Sequence, residues 1–353
     1  MLTHSARGHR LVSFLPRTLK APRPGAELLL GLAPPPPWLA ATEIPMAIVP
    51  ISPERQRLPK WMKRRLETKT KSAHTNEVLR REGLVTVCEE ATCPNRHECY
   101  SKNVATFMLM GDTCTRTCTF CDVKTGKKGE LPGLDASEPE RVARAVGELG
   151  LDFVVLTSVN RDDLPGGGAQ HFADTIAALR RLNPAGLVEV LTPDFCGDWQ
   201  ALQVVIDAAP DVYNHNLETI PRLYRAVRPQ ARYDRSLELL RRVKQANPRI
   251  WTKSGIMVGL GENDDEIRVL MEDLRANGVD IFTVGQYLRP SLKHHDILRF
   301  VSPEQFDRYR EWGEELGFAY VASGPYVRSS YFAEEVLKGA LDLRKLRAAQ
   351  SPA

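Results

Sequence analysis

The feature of the sequence that most constrains the fold is an alternation that repeats six times from residue 104 onward. Each unit is a short apolar run followed by an amphipathic segment of helix length. Strands that alternate with helices predict a parallel sheet, because neighbouring parallel strands need a long crossover connection. The number and polarity of the units predict an α/β fold of the open or partial TIM-barrel type, with a doubly wound sheet as the alternative. The candidate strands are 104–110, 152–158, 187–192, 211–216, 254–260 and 281–287, and the candidate helices are 138–149, 169–182, 198–208, 234–246, 264–277 and 303–316.

The regions on either side of these units differ from them in composition. Residues 53–82 predict a basic arm that ends in a short helix, and the first cysteines follow in a loop. After the last helix, the sequence predicts a final strand, a Gly-Pro turn and a short helix. We therefore expect four regions, which are a tail (1–50), an N-terminal extension (51–103), a barrel (104–318) and a C-terminal extension (319–353).

The N-terminal tail has no pattern from which a core could be built. The stretch "HSARGHRLVSFLPRTLKAPRPG" carries five Lys and Arg residues and no acidic residue, and "LAPPPPWLAA" follows it. An acid-poor, Arg-containing start is typical of a transit peptide. The alternative, which we favour, is an upstream stretch that is not translated, because Met46 opens a more regular segment. Both interpretations predict disorder to about residue 50.

The composition excludes several classes of protein. A net charge of +4 over 353 residues is too weak a basic excess to indicate a nucleic-acid partner. We find no run of about 18 apolar residues, so we expect no transmembrane helix and no membrane partner. Six of the seven cysteines are clustered at short, unequal spacings within a long chain. This pattern favours metal ligands in a reducing compartment over disulfides, and we expect the cytoplasm, or the mitochondrial matrix or a plastid if the tail is a transit peptide.

The cysteines Cys114, Cys118 and Cys121 have the spacing C-x3-C-x2-C and follow the first predicted strand. They therefore lie on the first βα loop, on the face where barrel enzymes carry their active sites. Three thiolates can hold three irons of a [4Fe–4S] cluster and leave the fourth iron free to bind a reactant. A structural zinc site is the competing interpretation, but it needs four protein ligands, and no fourth ligand stands close downstream.

The cysteines Cys88, Cys93 and Cys99 form a second triplet, C-x4-C-x5-C, just ahead of the first. This triplet indicates a second cluster with one position to fill. We expect Cys196, the remaining cysteine, to be a partly buried thiol that packs as a small apolar residue. A hydroxyl of the C-terminal "RSSY" is the other candidate, and it would be a weak, displaceable iron ligand. From the residues alone, these serines could equally cap a turn or the following helix.

The polar residues at the carboxyl ends of later strands are candidates for binding a cofactor. They are Asn160, Asn216, Glu218, Glu262 and Arg289. Barrel enzymes build their sites from these strand ends. A carboxylate could accept hydrogen bonds from an ammonium group or a ribose, and Arg289 could pair with a carboxylate. The alternative is that each of them supports loop structure.

The C-x3-C-x2-C spacing with Phe120 before its third cysteine resembles the signature of radical S-adenosylmethionine (SAM) enzymes. The whole chain from about residue 55 to 345 closely resembles the lipoyl synthase family. The resemblance is carried by both cysteine triplets in this order and by "VCEEATCPNRHECY", "NRDDLPGGGA", "HNLET", "GLGE", "QYLRP" and "RSSY".

The resemblance implies a partial (β/α)6 barrel of the TIM type with N- and C-terminal extensions, two [4Fe–4S] clusters and SAM as a cofactor. It implies that the open iron of the Cys114, Cys118 and Cys121 cluster binds SAM, whose cleavage supplies a hydrogen-abstracting radical. It also implies that the Cys88, Cys93 and Cys99 cluster supplies sulfur to C6 and C8 of a protein-bound octanoyl chain. Ser330, with Ser329 as the alternative, would complete the second cluster.

The implied partners are proteins. They are octanoylated lipoyl carrier domains or the glycine cleavage H protein, and an electron donor such as flavodoxin or ferredoxin. Lipoyl carrier domains tend to be acidic as a class, so the basic arm around Lys60, Lys63 and Arg64 could steer docking. Two other functions remain open at this point. They are another two-cluster radical enzyme, such as a methylthiotransferase acting on RNA or protein, and a non-catalytic zinc- or iron–sulfur-binding module.

Overall fold

The sheet is the element that positions everything else in this computed structural model. The structure describes residues 57–63, 73–101, 105–330, 333 and 335–339, all within one compact unit, Val49–Ala353. In the described residues, seven parallel strands form one sheet, and a separate pair of two-residue strands, β2 and β3, lies beside it. The strands are β1 (Thr106–Leu109), β2 (Thr113–Cys114), β3 (Lys124–Thr125), β4 (Phe153–Ser158), β5 (Leu187–Leu191), β6 (Val212–Asn214), β7 (Trp251–Val258), β8 (Ile281–Gln286) and β9 (Tyr320–Gly324).

The order of strands in the large sheet is β1-β4-β5-β6-β7-β8-β9, so neighbours in space are also neighbours along the chain. A doubly wound sheet would instead reverse its strand order at a switch point. The prediction of a partial TIM-type barrel is therefore confirmed. The final strand predicted after the last helix is β9, and it pairs in parallel with β8. Within the described residues, β1 and β9 are the two edges, so the barrel is open.

The helices follow the predicted segments closely. The helices before the sheet are α1 (Ala73–Arg81), α2 (Val87–Glu90) and α3 (Arg96–Ser101). Those that alternate with its strands are α4 (Glu138–Leu149), α5 (Ala169–Leu182), α6 (Trp199–Asp207), α7 (Tyr224–Val227), α8 (Tyr233–Ala246), α9 (Asp264–Ala276) and α10 (Pro303–Glu315). Short 3-10 turns occur at Lys60–Met62, Pro165–Gly168, Phe195–Gly197 and Pro221–Leu223.

The starts of these helices are fixed by local side-chain chemistry. Asn263 forms a capping box with Glu266 at the start of α9, and the Ser302 hydroxyl accepts from Gln305 N at the start of α10. The sequence places Ser137 in an N-cap context for α4, but its side chain makes no cap hydrogen bond there. Its hydroxyl instead donates to Asp135 Oδ1, because Asp135 turns the chain just before the helix.

The interior of the barrel is polar in its middle and apolar at its base. Lys253 lies on β7 two positions before Gly255, which lines the central cavity, so its side chain also points inward. Lys253 Nζ lies 2.9 Å from both carboxylate oxygens of Glu189, and Asn214 Nδ2 donates to Glu189 Oε1 at 2.9 Å. Removal of one partner would leave a buried charge and cost ~3–5 kcal/mol.

One layer below this ion pair, the C-terminal segment closes the barrel. Ala333, Val336 and Leu337 pack in one apolar cluster with inward-facing residues of the strands, among them Val212, Trp251 and Ile281. The segment that contains Ala333, Val336 and Leu337 therefore covers the base of the barrel. Residues 327–330, which lie between β9 and this segment, line the cavity. The predicted tail (1–50) and residues 340–353 lie outside the described residues. Among the described residues, no helix combines the length and apolar character needed to span a bilayer.

Candidate active site

A cavity of about 500 Å³ opens at the carboxyl ends of the strands, where a TIM-type barrel carries its site. This volume is in the range that holds a cofactor or a drug-sized ligand. Five of the six clustered cysteines line it, together with both serines of "RSSY". The lining residues named in the sequence motifs are Cys88, Cys93, Cys114, Cys118, Cys121, Asn160, Asn216, Glu218, Arg289, Ser329 and Ser330. Two segments that are more than two hundred residues apart in sequence thus face one space.

The loop that follows β1 carries Cys114, Cys118 and Cys121. Cys114 Sγ accepts two backbone hydrogen bonds, from Arg116 N at 3.4 Å and from Asn160 N at 3.3 Å. Backbone donors favour the charged form of an acceptor, so this position suits a thiolate. The backbone N–H of Cys121 donates to Cys118 O at 3.2 Å and closes a tight turn between the last two cysteines.

The loop after β8 packs onto this cysteine loop from the other side. His294 Nε2 lies 3.1 Å from Cys121 O, and the backbone N–H of His295 donates to Thr119 O at 2.9 Å. Arg289 and Asp296 form an ion pair of 2.5 Å at the base of the same loop, and both side chains are buried. The first and the sixth βα loops of the barrel therefore hold the three cysteines between them.

Burial sets the protonation state of the metal-free thiols. It raises the pKa of Cys88 and of Cys118 to about 11, and that of Cys121 to about 12. The Arg228 guanidinium opposes this effect at Cys118. Binding of a metal by these thiols would therefore release protons, since the thiolate is the ligand.

The triplet of Cys88, Cys93 and Cys99 is linked to segments that lie far away in the sequence. Cys88 lies on α2 and Cys99 on α3, and Cys93 lies in the turn between these helices. In that turn, the buried Asn95 donates from Nδ2 to Tyr326 O at 2.8 Å, across 231 residues of sequence. The Tyr326 hydroxyl donates in turn to Met62 O. One hydrogen-bonded chain therefore links the N-terminal 3-10 turn, the first cysteine triplet and the C-terminal turn.

The C-terminal turn reaches the cavity because β8 has a glycine where the turn passes. A Cβ atom at Gly285 would lie 2.0 Å from Val327 O and 3.1 Å from Arg328 Nη1. A side chain is therefore excluded at this position by the close approach of the backbone. Ser329 and Ser330, which follow directly, line the same cavity as Cys88 and Cys93.

The residues predicted to bind the cofactor are not all brought together. Asn160, Asn216, Glu218 and Arg289 line the cavity, whereas Glu262, also a described residue, lies outside its wall. The Glu262 carboxylate accepts from the backbone N–H groups of Gly259 and Leu260 at 2.6 and 2.9 Å, so it stabilises the loop after β7. Burial raises the pKa of Glu218, and its backbone is left-handed, with φ of 64°.

The cavity wall also carries polar atoms that await a partner. Among the described residues, Ser158 Oγ, Asn160 Oδ1 and Asn216 Oδ1 are buried side-chain atoms without a hydrogen-bond partner, and all three residues line the cavity. A buried polar atom without a partner costs ~1–3 kcal/mol. Acceptors such as these suit a ligand with ammonium, amine and hydroxyl donors, as SAM has. The five cysteines beside them are the donor set that an iron–sulfur cluster takes.

Arg228 and His215 line the cavity but were not among the predicted site residues. Arg228 is buried, and its Nη1 donates to Asn216 O at 2.7 Å and to Leu217 O at 3.0 Å. It thereby fixes the strand-end loop that carries Asn216 and Glu218. His215 is buried between Thr192 O and Ser236 Oγ, and burial lowers its pKa to about 4. Arg228 stands in no quoted motif, whereas His215 opens "HNLET", but only the structure shows that both residues line the cavity.

The prediction for Cys196 was wrong, because its side chain is exposed. Phe195, Cys196 and Gly197 all have positive φ, and this tight turn presents the thiol outward, where it donates to Asp162 Oδ1 at 3.3 Å. Cys196 is therefore no candidate for a fourth metal ligand alongside Cys88, Cys93 and Cys99. In the described part of the chain, no group of three or more Cys, His, Asp or Glu side chains is arranged to hold a single metal ion.

Comparison with known proteins first defines the class. A sequence profile described as the Radical SAM superfamily matches residues 108–274, a stretch that includes the loop of Cys114, Cys118 and Cys121. In the structure, this cysteine loop directly follows the first strand of an open parallel barrel. The chain is therefore a radical SAM enzyme.

Comparison with curated relatives then defines the family. The lipoyl synthase of Rubrobacter xylanophilus is 53% identical over 306 residues, which cover 85% of this chain and 94% of that relative. The lipoyl synthases of Caldicellulosiruptor bescii and Symbiobacterium thermophilum are 52% and 54% identical, over 82% and 81% of this chain and 98% and 90% of theirs. The chain belongs to the lipoyl synthase family, and it is a sulfur-inserting enzyme that uses an iron–sulfur cluster and SAM.

Proposed function

We propose that this chain inserts two sulfur atoms, at C6 and C8, into an octanoyl chain that is amide-linked to a lysine of a carrier protein. The observation that carries the proposal is that five of the six cysteines, drawn from both triplets, line one cavity at the catalytic end of the barrel, with Cys99 outside its wall. A hydrogen-abstracting group and a sulfur source must both reach the same carbon chain. A single cavity of about 500 Å³ meets that requirement.

The thiolates of Cys114, Cys118 and Cys121 would hold a [4Fe–4S] cluster with SAM bound to it. When bound, this pair supplies one-electron cleavage of SAM and hence hydrogen abstraction from an unactivated carbon. The protein contributes binding and orientation. The side-chain Oδ1 atoms of Asn160 and Asn216 could accept from the cofactor, and Arg228 keeps the Asn216 loop in place.

The thiolates of Cys88, Cys93 and Cys99 would hold the second [4Fe–4S] cluster, which serves as the sulfur donor. We propose Ser330 as its fourth ligand, with Ser329 as the alternative serine, because both line the same cavity as Cys88 and Cys93. A serine oxygen matches a soft iron–sulfur centre less well than a thiolate does, so this bond is the easiest of the four to release. Such release would let the cluster open as sulfur leaves.

The protein partners follow from this chemistry. We propose that octanoylated lipoyl carrier domains or the glycine cleavage H protein present the substrate, and that a flavodoxin or ferredoxin supplies electrons. Lys60 and Lys63 are exposed near the N-terminal 3-10 turn and could steer an acidic carrier, whereas Arg64 lies outside the described residues. A reducing compartment, the cytoplasm, would keep the thiols available for iron.

The test of the function is turnover of an octanoyl-lysine peptide with SAM and a reductant, followed by mass spectrometry. We expect a product that carries two added sulfur atoms. A fully iron-loaded enzyme that cleaves SAM but releases no such product would reject the proposed reaction.

The test of the serine ligand uses a matched pair of variants. Ser330→Ala should change the spectrum of the second cluster and lower sulfur insertion, and Ser329→Ala should leave both unchanged. The reverse result would assign the ligand to Ser329. Unchanged spectra and activity in both variants would remove the serines from the cluster.

A further inference from the structure

The loop of Cys114, Cys118 and Cys121 is anchored through a buried arginine within it. Arg116 stands between the first two cysteines and is 4% exposed. Its Nε and Nη2 donate to the two carboxylate oxygens of Asp162 at 2.8 and 2.9 Å. Its Nη2 also donates to Asp194 Oδ1 at 2.5 Å. A bidentate pair of this kind fixes direction as well as distance, because the guanidinium and the carboxylate are both planar.

The two carboxylates come from different parts of the barrel. Asp162 follows β4, and Asp194 follows β5, so Arg116 ties the loop after β1 to the loops after the next two strands. The pKa of Asp194 is held at about 2, since the hydrogen bond and charge of Arg116 outweigh the opposing effect of burial. The charges are also closely balanced, because Arg235 Nη1 lies 3.1 Å from Asp194 Oδ2.

The backbone around Asp194 is shaped to hold this carboxylate. Asp194 Oδ1 accepts from Cys196 N at 3.1 Å, within the turn where Phe195, Cys196 and Gly197 have φ of 46°, 55° and 86°. Non-glycine residues with positive φ cost ~1 kcal/mol or more each. The turn therefore holds an unfavourable backbone shape while directing Asp194 at Arg116, which indicates a site where position matters.

We propose that Arg116 is a positioning residue for the cluster held by Cys114, Cys118 and Cys121. It sets the distance of Cys114 from Cys118 by holding the intervening backbone against Asp162 and Asp194, so that the three thiolates keep the spacing of one cluster. The inference rests on the proposed cluster at these cysteines, but not on sulfur insertion. Its role is geometric: Arg116 lies in the cavity wall, but its Nε and Nη2 donate to Asp162 and Asp194.

Arg161 provides a matched control in the same region, because it forms a similar ion pair with Asp163. Arg161 is 2% exposed and pairs with Asp163 through Nε and Nη2, at 2.9 and 2.8 Å, and it also donates to Pro132 O. It has the same burial and the same bidentate ion pair as Arg116, but its contacts are not to the cysteine loop. Arg116→Met and Arg161→Met therefore lose similar ion pairs, and only the first loses the anchor of the cysteines.

The experiment compares the iron-loaded full chain with its variants Arg116→Met, Arg116→Lys and Arg161→Met. The readouts are the rate at which a chelator removes iron, and the part of the reduced electron paramagnetic resonance signal that changes when SAM is added. We expect Arg116→Met to lose iron about tenfold faster and to lose the SAM-dependent change. Arg116→Lys should fall between, and Arg161→Met should match the unsubstituted chain in both readouts.

The outcomes that overturn the inference are distinct. A folded Arg116→Met with unchanged iron release and an unchanged SAM response would contradict it, and so would an equal loss in Arg161→Met. If Arg116→Met fails to fold, Asp194→Asn replaces it, because that variant keeps the pair with Asp162. Failure of both to fold, with Arg161→Met folded, would assign the network to folding. An enzyme that keeps the SAM response but makes no two-sulfur product would defeat the proposed function and leave this inference standing.

Discussion

The two cysteine triplets are held in opposite ways. The loop of Cys114, Cys118 and Cys121 lies inside the barrel and is fixed by neighbouring βα loops, through Arg116 and through the contact of His294 with Cys121 O. The triplet of Cys88, Cys93 and Cys99 lies outside the barrel, in short helices before β1. Asn95 joins it to the C-terminal turn by a hydrogen bond that spans 231 residues, and Thr92 joins it to Asp122, the residue after Cys121.

This difference suits the two tasks proposed for the clusters, which are SAM cleavage and sulfur donation. A centre that cleaves SAM repeatedly needs a fixed geometry, because small displacements of reacting groups cost large factors in rate. In the proposed reaction, the cluster at Cys88, Cys93 and Cys99 would have to open to give up sulfur, and a site assembled from distant segments could open without unfolding the barrel. The serines of the C-terminal turn lie at the point where the two regions meet, since Gly285 of the barrel admits the turn beside the cavity.

The largest effect is expected when one triplet is disabled at a time. Cys118→Ala should abolish both SAM cleavage and sulfur insertion, because no hydrogen abstraction can begin. Cys93→Ala should abolish sulfur insertion but keep SAM cleavage, because it leaves the barrel loop intact. Liquid chromatography of 5′-deoxyadenosine and mass spectrometry of the peptide measure both activities. Loss of SAM cleavage in Cys93→Ala would contradict the separation of roles.

The next effect is expected where the two regions touch. Gly285→Ala would place a Cβ atom 2.0 Å from Val327 O and push the C-terminal turn away from the cavity. We expect sulfur insertion to fall about a hundredfold, with SAM cleavage largely kept. Gly133→Ala is the control, because nothing lies within 4 Å of its Cβ position. Equal activity of both variants would mean that the position of the turn is unimportant.

The barrel side can be tested through acid stability. His215 is 2% exposed, and burial lowers its pKa from the ordinary value of 6.5 to about 4. The unfolded chain therefore binds a proton at a higher pH than the folded chain does, so stability falls as the pH drops from about 6.5 to 4. Arg228 acts in the same direction as burial, and Asp194 opposes it.

The expected contribution of His215 at pH 4 is ~3 kcal/mol of unfolding free energy. Denaturant unfolding of the full chain at pH 7 and pH 4 measures it, with His215→Gln as the comparison. The acid-induced loss should be smaller in His215→Gln by about that amount. An identical loss in the two proteins would mean that His215 is protonated at its ordinary pKa in the folded chain.

The smallest effect is expected at the link between the triplet of Cys88, Cys93 and Cys99 and the C-terminal turn. Asn95→Ala removes the donor to Tyr326 O, and the net value of such a hydrogen bond is ~1 kcal/mol. We expect the cluster at Cys88, Cys93 and Cys99 to lose iron to a chelator about fivefold faster, and the cluster at Cys114, Cys118 and Cys121 to be unaffected. Tyr326→Phe removes the hydroxyl contact with Met62 O and keeps the bond from Asn95, so its effect should be smaller. Faster loss of iron from the barrel cluster would contradict this division.

Much of the fold could be predicted because the repeating unit is regular. The bounds predicted for α4 and α5 agree with the structure at both ends, since Gly150 ends α4 and the glycines at 166–168 precede α5. The cysteines could be recognised from their spacing along the chain. The partners of these cysteines could not, because Arg116, Asn95 and Tyr326 act through contacts with residues 46 to 264 positions away.

Two side chains are placed by local geometry that the sequence does not reveal. Glu262 stands at a strand end, as a cofactor ligand would, but its carboxylate is used by the backbone of its own loop. Cys196 is exposed because three successive residues adopt positive φ, which the sequence "FCG" does not reveal for Phe195 and Cys196. A strand-end position thus predicts where a side chain begins, and the loop geometry decides where it points.

The central claim is that the two triplets hold two independent clusters. Iron and sulfide analysis after anaerobic reconstitution tests it most directly, on the unsubstituted chain and on two variants in which one triplet is changed to alanine. We predict about eight irons for the unsubstituted chain and about four for each variant. About four irons in the unsubstituted chain, or zinc in place of iron, or loss of all iron when one triplet is removed, would contradict the claim.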